Sequence, residues 1–136
     1  MAVVKSKYQS VLLVDDSEID NFINRATITG SNFAAVVYEQ TSPRGALQFL
    51  DKIAKGQDDV PAELPQLIFL DINMPVMDGF QFMDEFEKLD EKVKKNCKVV
   101  MLTSSINAKD RERARNYPSI IHFINKPLSK DKLPGL

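Results

Sequence analysis

The stretch Leu67-Ile68-Phe69-Leu70-Asp71-Ile72-Asn73-Met74-Pro75-Val76-Met77-Asp78-Gly79 decides the fold. Its first four residues form an unbroken apolar run, the pattern of a strand buried on both faces, and the run ends abruptly in a carboxylate. Three other runs behave alike. Val11-Leu12-Leu13-Val14 leads into Asp15-Asp16, and Val99-Val100-Met101-Leu102 leads into Thr103. Ile120-Ile121-His122-Phe123-Ile124 passes through Asn125 into Lys126. In open α/β sheets, ligands bind outside the carboxyl ends of the strands. Three carboxylates, a hydroxyl and an ammonium are therefore expected along one sheet edge.

Between these runs lie segments with helical spacing. Ser17 reads as an N-cap with Asp20 three residues on, a variant of the capping box. Ile19, Phe22, Ile23 and Ala26 mark one face of the helix that follows. A second strand is expected over residues 35–39. Ser42-Pro43 opens another helix, with Ala46, Leu47, Leu50, Ile53 and Ala54 facing inward. A third follows Gly79, striped by Phe82, Met83, Phe86 and Leu89. Residues 56–65 and 90–98 read as polar connectors of unassigned purpose. The segment 108–116 carries only Ala108 and Ala114 as apolar residues, so a weakly anchored helix is expected there. After Ser129, Pro134-Gly135 stops any further helix almost at once.

Strands alternating with helices specify an α/β fold: a doubly wound parallel sheet of about five strands with helices on both faces and a short last helix. The pattern alone leaves the strand order open. At 136 residues the chain reads as a single domain, residues 1–136 with a core from about 9 to 130. A net charge of −1 gives no general attraction to nucleic acid or anionic lipid. The lone Cys97 has no disulfide partner, no apolar stretch reaches membrane-span length, and Met1–Lys5 lacks the apolar core of an export signal. A cytoplasmic protein is the expectation.

Asp15, Asp16 and Asp71 on neighbouring strand ends would repel one another, at roughly 4 kcal/mol for a pair about 4 Å apart in an effective dielectric near 20. A cation relieves that cost, and an oxygen-only donor set suits Mg²⁺ better than zinc. Asp15 and Asp16 can also serve simply as capping carboxylates of the first helix. Asp71 has no such alternative, since it ends the most apolar strand with no acidic neighbour beside it.

Asp15-Asp16, the Asp71 loop, Leu102-Thr103-Ser104 and Lys126-Pro127 together resemble the receiver domain of two-component response regulators. The resemblance runs from about Val11 to Lys130, and its force lies in the agreement of order, spacing and strand context at four places. It implies a flavodoxin-like strand order, 2-1-3-4-5, in a stand-alone protein similar to the chemotaxis regulators. It implies that Asp71 is the phosphoacceptor, that Asp16 binds Mg²⁺ directly and Asp15 through water, and that Asn73 lends its backbone carbonyl to the metal. Thr103 and Lys126 would each contact a phosphoryl oxygen, and the Lys126-Pro127 bond would be cis. Phosphoryl transfer asks for alignment and charge neutralisation, which these groups can supply.

The same resemblance implies a switch in which Thr103 moves inward and an aromatic on the fifth strand follows. Phe123 holds that position and has no hydroxyl, so only a packing switch is available. Asn73 and Ser105 would flank the path of attacking water. The phosphoryl donor would be a sensor histidine kinase or a histidine phosphotransfer protein, contacting the first helix near Asn21, Asn24 and Arg25. A downstream protein target is implied, with neither nucleic acid nor membrane as a direct partner. Lys109, Arg111, Arg113 and Arg115 are interleaved with Asp110 and Glu112, and Asp110 can meet Arg113 at helical spacing, which reads as a solvated face. Such a protein is a switch that phosphorylates and dephosphorylates itself, not an enzyme acting on external substrates. Two alternatives are a Mg²⁺-dependent phosphohydrolase with an aspartyl nucleophile and a phosphorylation-independent binding module of the same fold. The first is disfavoured because Asn73, two residues after Asp71, cannot donate a carboxyl proton.

Overall fold

The computed structural model describes residues 6–136, so the reading of Met1–Lys5 lies outside the described residues. Five parallel strands form one sheet in the order β2-β1-β3-β4-β5. The strands are β1 (Tyr8–Val14), β2 (Ala34–Gln40), β3 (Leu67–Asp71), β4 (Lys98–Thr103) and β5 (Ile120–Asn125). The helices are α1 (Glu18–Gly30), α2 (Pro43–Ala54), α3 (Gly79–Phe86), α4 (Glu91–Asn96) and α5 (Ala108–Ala114). A single 3₁₀ turn, Lys130–Lys132, stands where a last helix would begin.

Strand alternation divides the core in two. Leu12, Val14, Ile68, Leu70, Val99 and Met101 face Ala46, Leu50 and Ile53 of α2, Phe82, Met83 and Phe86 of α3, Val93 of α4 and Ala114 of α5. On the other side, Val11, Leu13, Leu67, Phe69, Val100 and Leu102 pack with Ile28 of α1 and with Leu128, Leu133 and Leu136. Burying each Leu, Ile or Phe contributes about 1.5–3 kcal/mol, so both faces must be covered for the sheet to stand. The C-terminal segment covers its share through three leucines without forming an α-helix.

Two expectations are corrected. The connector over residues 90–98 contains α4, capped by the Asp90 side chain, which accepts from the Lys92 N–H at 2.9 Å. Buried Val93 and Cys97 anchor this short helix. The larger correction concerns α1, whose apolar face points to solvent: Ile19 is 73% exposed, Phe22 70% and Ile23 42%, and Ala26 is exposed as well. Asn21 and Asn24 face inward in their place. Polar ties account for this rotation. Asn21 Nδ2 donates to the Asp15 carbonyl at 3.1 Å, and the Gln40 carbonyl lies 3.5 Å away. Arg25 donates to the Val37 carbonyl at 2.8 Å and pairs with Glu39 at 2.7 Å. Backbone carbonyls at strand ends must find donors, and here the helix supplies them.

Candidate functional site

Register alone assembles the site. Val14 pairs with Leu70, so Asp15 emerges beside Asp71. Asp71 pairs with Leu102 and Thr103 pairs with Asn125, so Thr103 and Lys126 emerge at the same edge. The ladder continues past the strands through Ile72 N–H to the Leu102 carbonyl at 3.0 Å and Lys126 N–H to the Thr103 carbonyl at 2.8 Å. Gly79 lets the loop after Asp71 close on itself. A Cβ there would lie 2.9 Å from Ile72 Cα and 3.1 Å from the Asp71 carbonyl oxygen, both backbone atoms with little room to yield. The Asp78–Gln81 capping box then starts α3 directly behind the loop.

The side chains meet as their strand ends require. Carboxylate oxygens of Asp15, Asp16 and Asp71 all lie within 4.8 Å of one another. Asp15 and Asp71 are buried, whereas Asp16 is exposed and pairs with no described group. The Lys126 ammonium reaches Asp15 Oδ2 at 2.7 Å, Asp20 Oδ2 at 3.0 Å and Asp71 Oδ1 at 3.3 Å. The Lys126-Pro127 bond is cis. The Asn73 N–H donates to Asp71 Oδ1 at 3.3 Å. No described residue donates to Asp71 Oδ2, which is the oxygen left for chemistry.

Asp71 is pushed up to about 6, first by burial and then by the neighbouring Asp15 charge, against the opposing pull of Lys126. Burial alone would lower the Lys126 ammonium, but hydrogen bonds to Asp15 and Asp20 and the charges of Asp71 and Asp15 carry it above its ordinary value. Three carboxylates thus meet one ammonium, Asp16 adds a fourth negative group beside them, and negative charge is in excess. A hard divalent cation with oxygen donors fits that excess, and Asp15, Asp16 and Asp71 are the residues that could hold it.

Sequence reading missed Asp20. Its N–H caps back to Ser17 Oγ at 3.1 Å as expected, but its side chain does not complete a capping box. Asp15 Oδ1 accepts from the Ser17 N–H at 2.9 Å instead, freeing the Asp20 carboxylate for Lys126. Thr103 is buried, and its hydroxyl donates to the Ser105 carbonyl at 3.1 Å while accepting from the Ser105 N–H at 3.2 Å. Phe123 is half-buried against the core beneath α5 and lines an open groove of about 430 Å³ with Arg111, Arg115 and His122. Asp110 does not pair with Arg113. It accepts from Asn107 Nδ2 at 3.0 Å, and the Arg113 guanidinium stacks on the Phe80 ring, 4.4 Å from its centroid.

The sequence profile described as the response regulator receiver domain matches residues 11–135. The chain belongs to that family. Among solved structures, this receiver is similar to a two-component response regulator from Cytophaga hutchinsonii, with a TM-score of 0.83 at 28% identity, covering 93% of this chain and 91% of that one. A response regulator receiver protein from Dyadobacter fermentans matches with a TM-score of 0.77 at 28% identity, covering 92% and 91%. Among curated proteins it is 30% identical over 123 residues to the sensor histidine kinase CheAY of Helicobacter pylori, covering 90% of this chain. The receiver spans only 14% of that kinase's length. Receivers are modules of two-component signalling rather than enzymes with external substrates, and the flavodoxin-like strand order agrees with that membership. Among the described residues, no helix is long and apolar enough to cross a membrane.

Proposed function

We propose that this receiver domain takes a phosphoryl group on Asp71 and signals through a conformational change. One observation carries the reading: a buried carboxylate with one oxygen free, set between an ammonium and a pair of acidic side chains. In the transfer, Asp71 Oδ2 attacks the phosphorus of a phosphohistidine, the P–N bond breaks, and its electron pair returns to the imidazole. Asp71 must be ionised to attack, and near neutral pH it is. Lys126 leaves a carboxylate for a phosphoryl oxygen. The Thr103 hydroxyl exchanges the Ser105 carbonyl for another phosphoryl oxygen. Mg²⁺ held by Asp15, Asp16, Asp71 and the Asn73 carbonyl would supply charge neutralisation at the transferring group. Asn73, whose N–H meets Asp71 Oδ1, and Ser105, whose N–H meets the Thr103 hydroxyl, would tune hydrolysis.

The donor is a histidine kinase or histidine phosphotransfer protein. Asn21 and Asn24 are buried and unavailable to it. The exposed Ile19, Phe22 and Ile23 on α1 form the docking face instead, because they have no core to cover and Ile23 lines the recess at Lys126 and Pro127. Release of Thr103 from Ser105 opens room behind it for Phe123, and α5 moves with that packing change toward an unnamed protein target. A reducing, cytoplasmic setting suits a chain whose one thiol is buried.

Incubation with a small acyl phosphate and Mg²⁺ should add one phosphoryl group to the wild-type chain and none to Asp71→Asn, read by intact mass. Equal labelling of that variant would refute the assignment.

A further inference from the structure

Lys126 carries three donors and no acceptor, and each donor has a carboxylate to meet. Asp15 and Asp71 are two of these partners, and both also belong to the cluster able to hold a cation. Asp20 is the third and stands outside that cluster. It is also the most open of the three, its side chain 39% exposed against 3% for Asp15 and 5% for Asp71. Asp15 has both oxygens engaged, Oδ1 by the Ser17 N–H and Oδ2 by Lys126. An ammonium and a divalent cation therefore compete for the same oxygens and repel each other.

We infer that Asp20 is a positioning residue for Lys126, keeping the ammonium beside the pocket while Asp15 and Asp71 turn to a divalent cation. This rests on the cation reading of the site given above. A recess of about 190 Å³ lined by Asp20, Ile23, Asn24, Lys126 and Pro127 provides the space on the α1 side into which the ammonium can shift. With Asp20 neutralised, the ammonium has only Asp15 and Asp71 to satisfy it, and it withholds the oxygens the cation needs. Asp20 thus favours cation binding without touching the cation.

Isothermal titration of Mg²⁺ into the wild-type chain, Asp20→Asn, Asp20→Glu, Lys126→Met and the double variant Asp20→Asn/Lys126→Met tests this. Removing a nearby negative charge weakens cation binding on its own, and the double-mutant cycle separates that effect from the one acting through Lys126. Asp20→Asn should weaken Mg²⁺ binding about five- to tenfold when Lys126 is present and about twofold or less when it is Met, while Asp20→Glu stays within about twofold of wild type. The same fold-change in both backgrounds, or none in either, overturns the role of Asp20 and leaves the metal reading standing. Absence of Mg²⁺ binding by the wild-type chain overturns the metal reading and this inference with it.

Discussion

The Lys126 ammonium lies 3.3 Å from Oδ1 of Asp71, so the group assigned to a phosphoryl oxygen already touches the carboxylate that would carry it. The same ammonium holds Asp15 at 2.7 Å, and its side chain is only 18% exposed. It therefore balances charge within the resting pocket, in addition to the transfer role proposed for it.

Replacing Lys126 by Met should leave Asp15 and Asp71 buried beside each other without a cation. Breaking a buried pair by removing one partner commonly costs about 3–5 kcal/mol, and the partial access here reduces the expectation to about 2 kcal/mol. Urea unfolding at neutral pH with chelator should show that loss. Millimolar Mg²⁺ should restore part of it, because a divalent cation can replace the missing charge at the same oxygens.

Asp71 makes stability depend on pH in the direction opposite to an ordinary salt-bridged carboxylate. Its value in the folded chain is about 6 against 3.8 for the free group, so the folded state binds the extra proton between those values. Stability is then greatest below about pH 4, falls as pH rises through 6, and stays reduced above. Asp71→Asn removes the buried charge and should melt higher at pH 7.5 by roughly 3–6 °C, equivalent to about 1–2 kcal/mol after allowance for solvent screening. Near pH 4 its advantage should vanish in thermal melts without metal.

The helix α5 and the turn that follows it are held less by burial than by side-chain contacts to α3. The Tyr117 hydroxyl donates to Asp84 Oδ1 at 2.6 Å, and Arg113 stacks on Phe80. Ala114 is the helix's one buried residue. Tyr117→Phe should cost about 1 kcal/mol locally and speed amide exchange several-fold across residues 108–114, with little change in β1 or β3. Phosphorylation should alter exchange in the same helix, and an unchanged profile would remove α5 from the switch.

If the outward face of α1 is the proposed docking face, partner docking and chemistry are separable. Phe22→Ser should leave folding stability within about 0.5 kcal/mol of wild type, since the ring is 70% exposed. Transfer from a cognate phosphohistidine protein should slow at least about tenfold, whereas uptake from a small acyl phosphate should not change. Parallel rate measurements with the two donors check this.

The central strands β1, β3 and β4 were legible because burial on both faces leaves no alternative to continuous apolar runs, whereas β5 kept its apolar run although, as an edge strand, it leaves Ile121 and His122 exposed. The helix α2 was legible for a similar reason, with Ser42 capping it and Ala46, Leu50 and Ile53 buried where the spacing placed them. The helix α4 was hidden because six residues with one buried anchor, Val93, give too few turns for a period. Periodicity identified the apolar face of α1 but not its direction, which depends on Asn21 bonding to carbonyls at the ends of β1 and β2. The pairing of Asp20 with Lys126 was hidden for the same reason, because it exists only once α1 is rotated that way. Asp15, Asp16, Asp71, Thr103 and Lys126 needed no such information, since register alone gathers them.

The most direct test of the account is to locate the modified residue. Borohydride reduces an acyl phosphate to the alcohol, so treatment after phosphorylation should convert Asp71, and no other residue, to homoserine in the peptide spanning residues 67–79. Homoserine at Asp71, dependent on Mg²⁺ and absent without the phosphoryl donor, is the result expected. An unmodified Asp71 in a chain that has gained a phosphoryl group would contradict it.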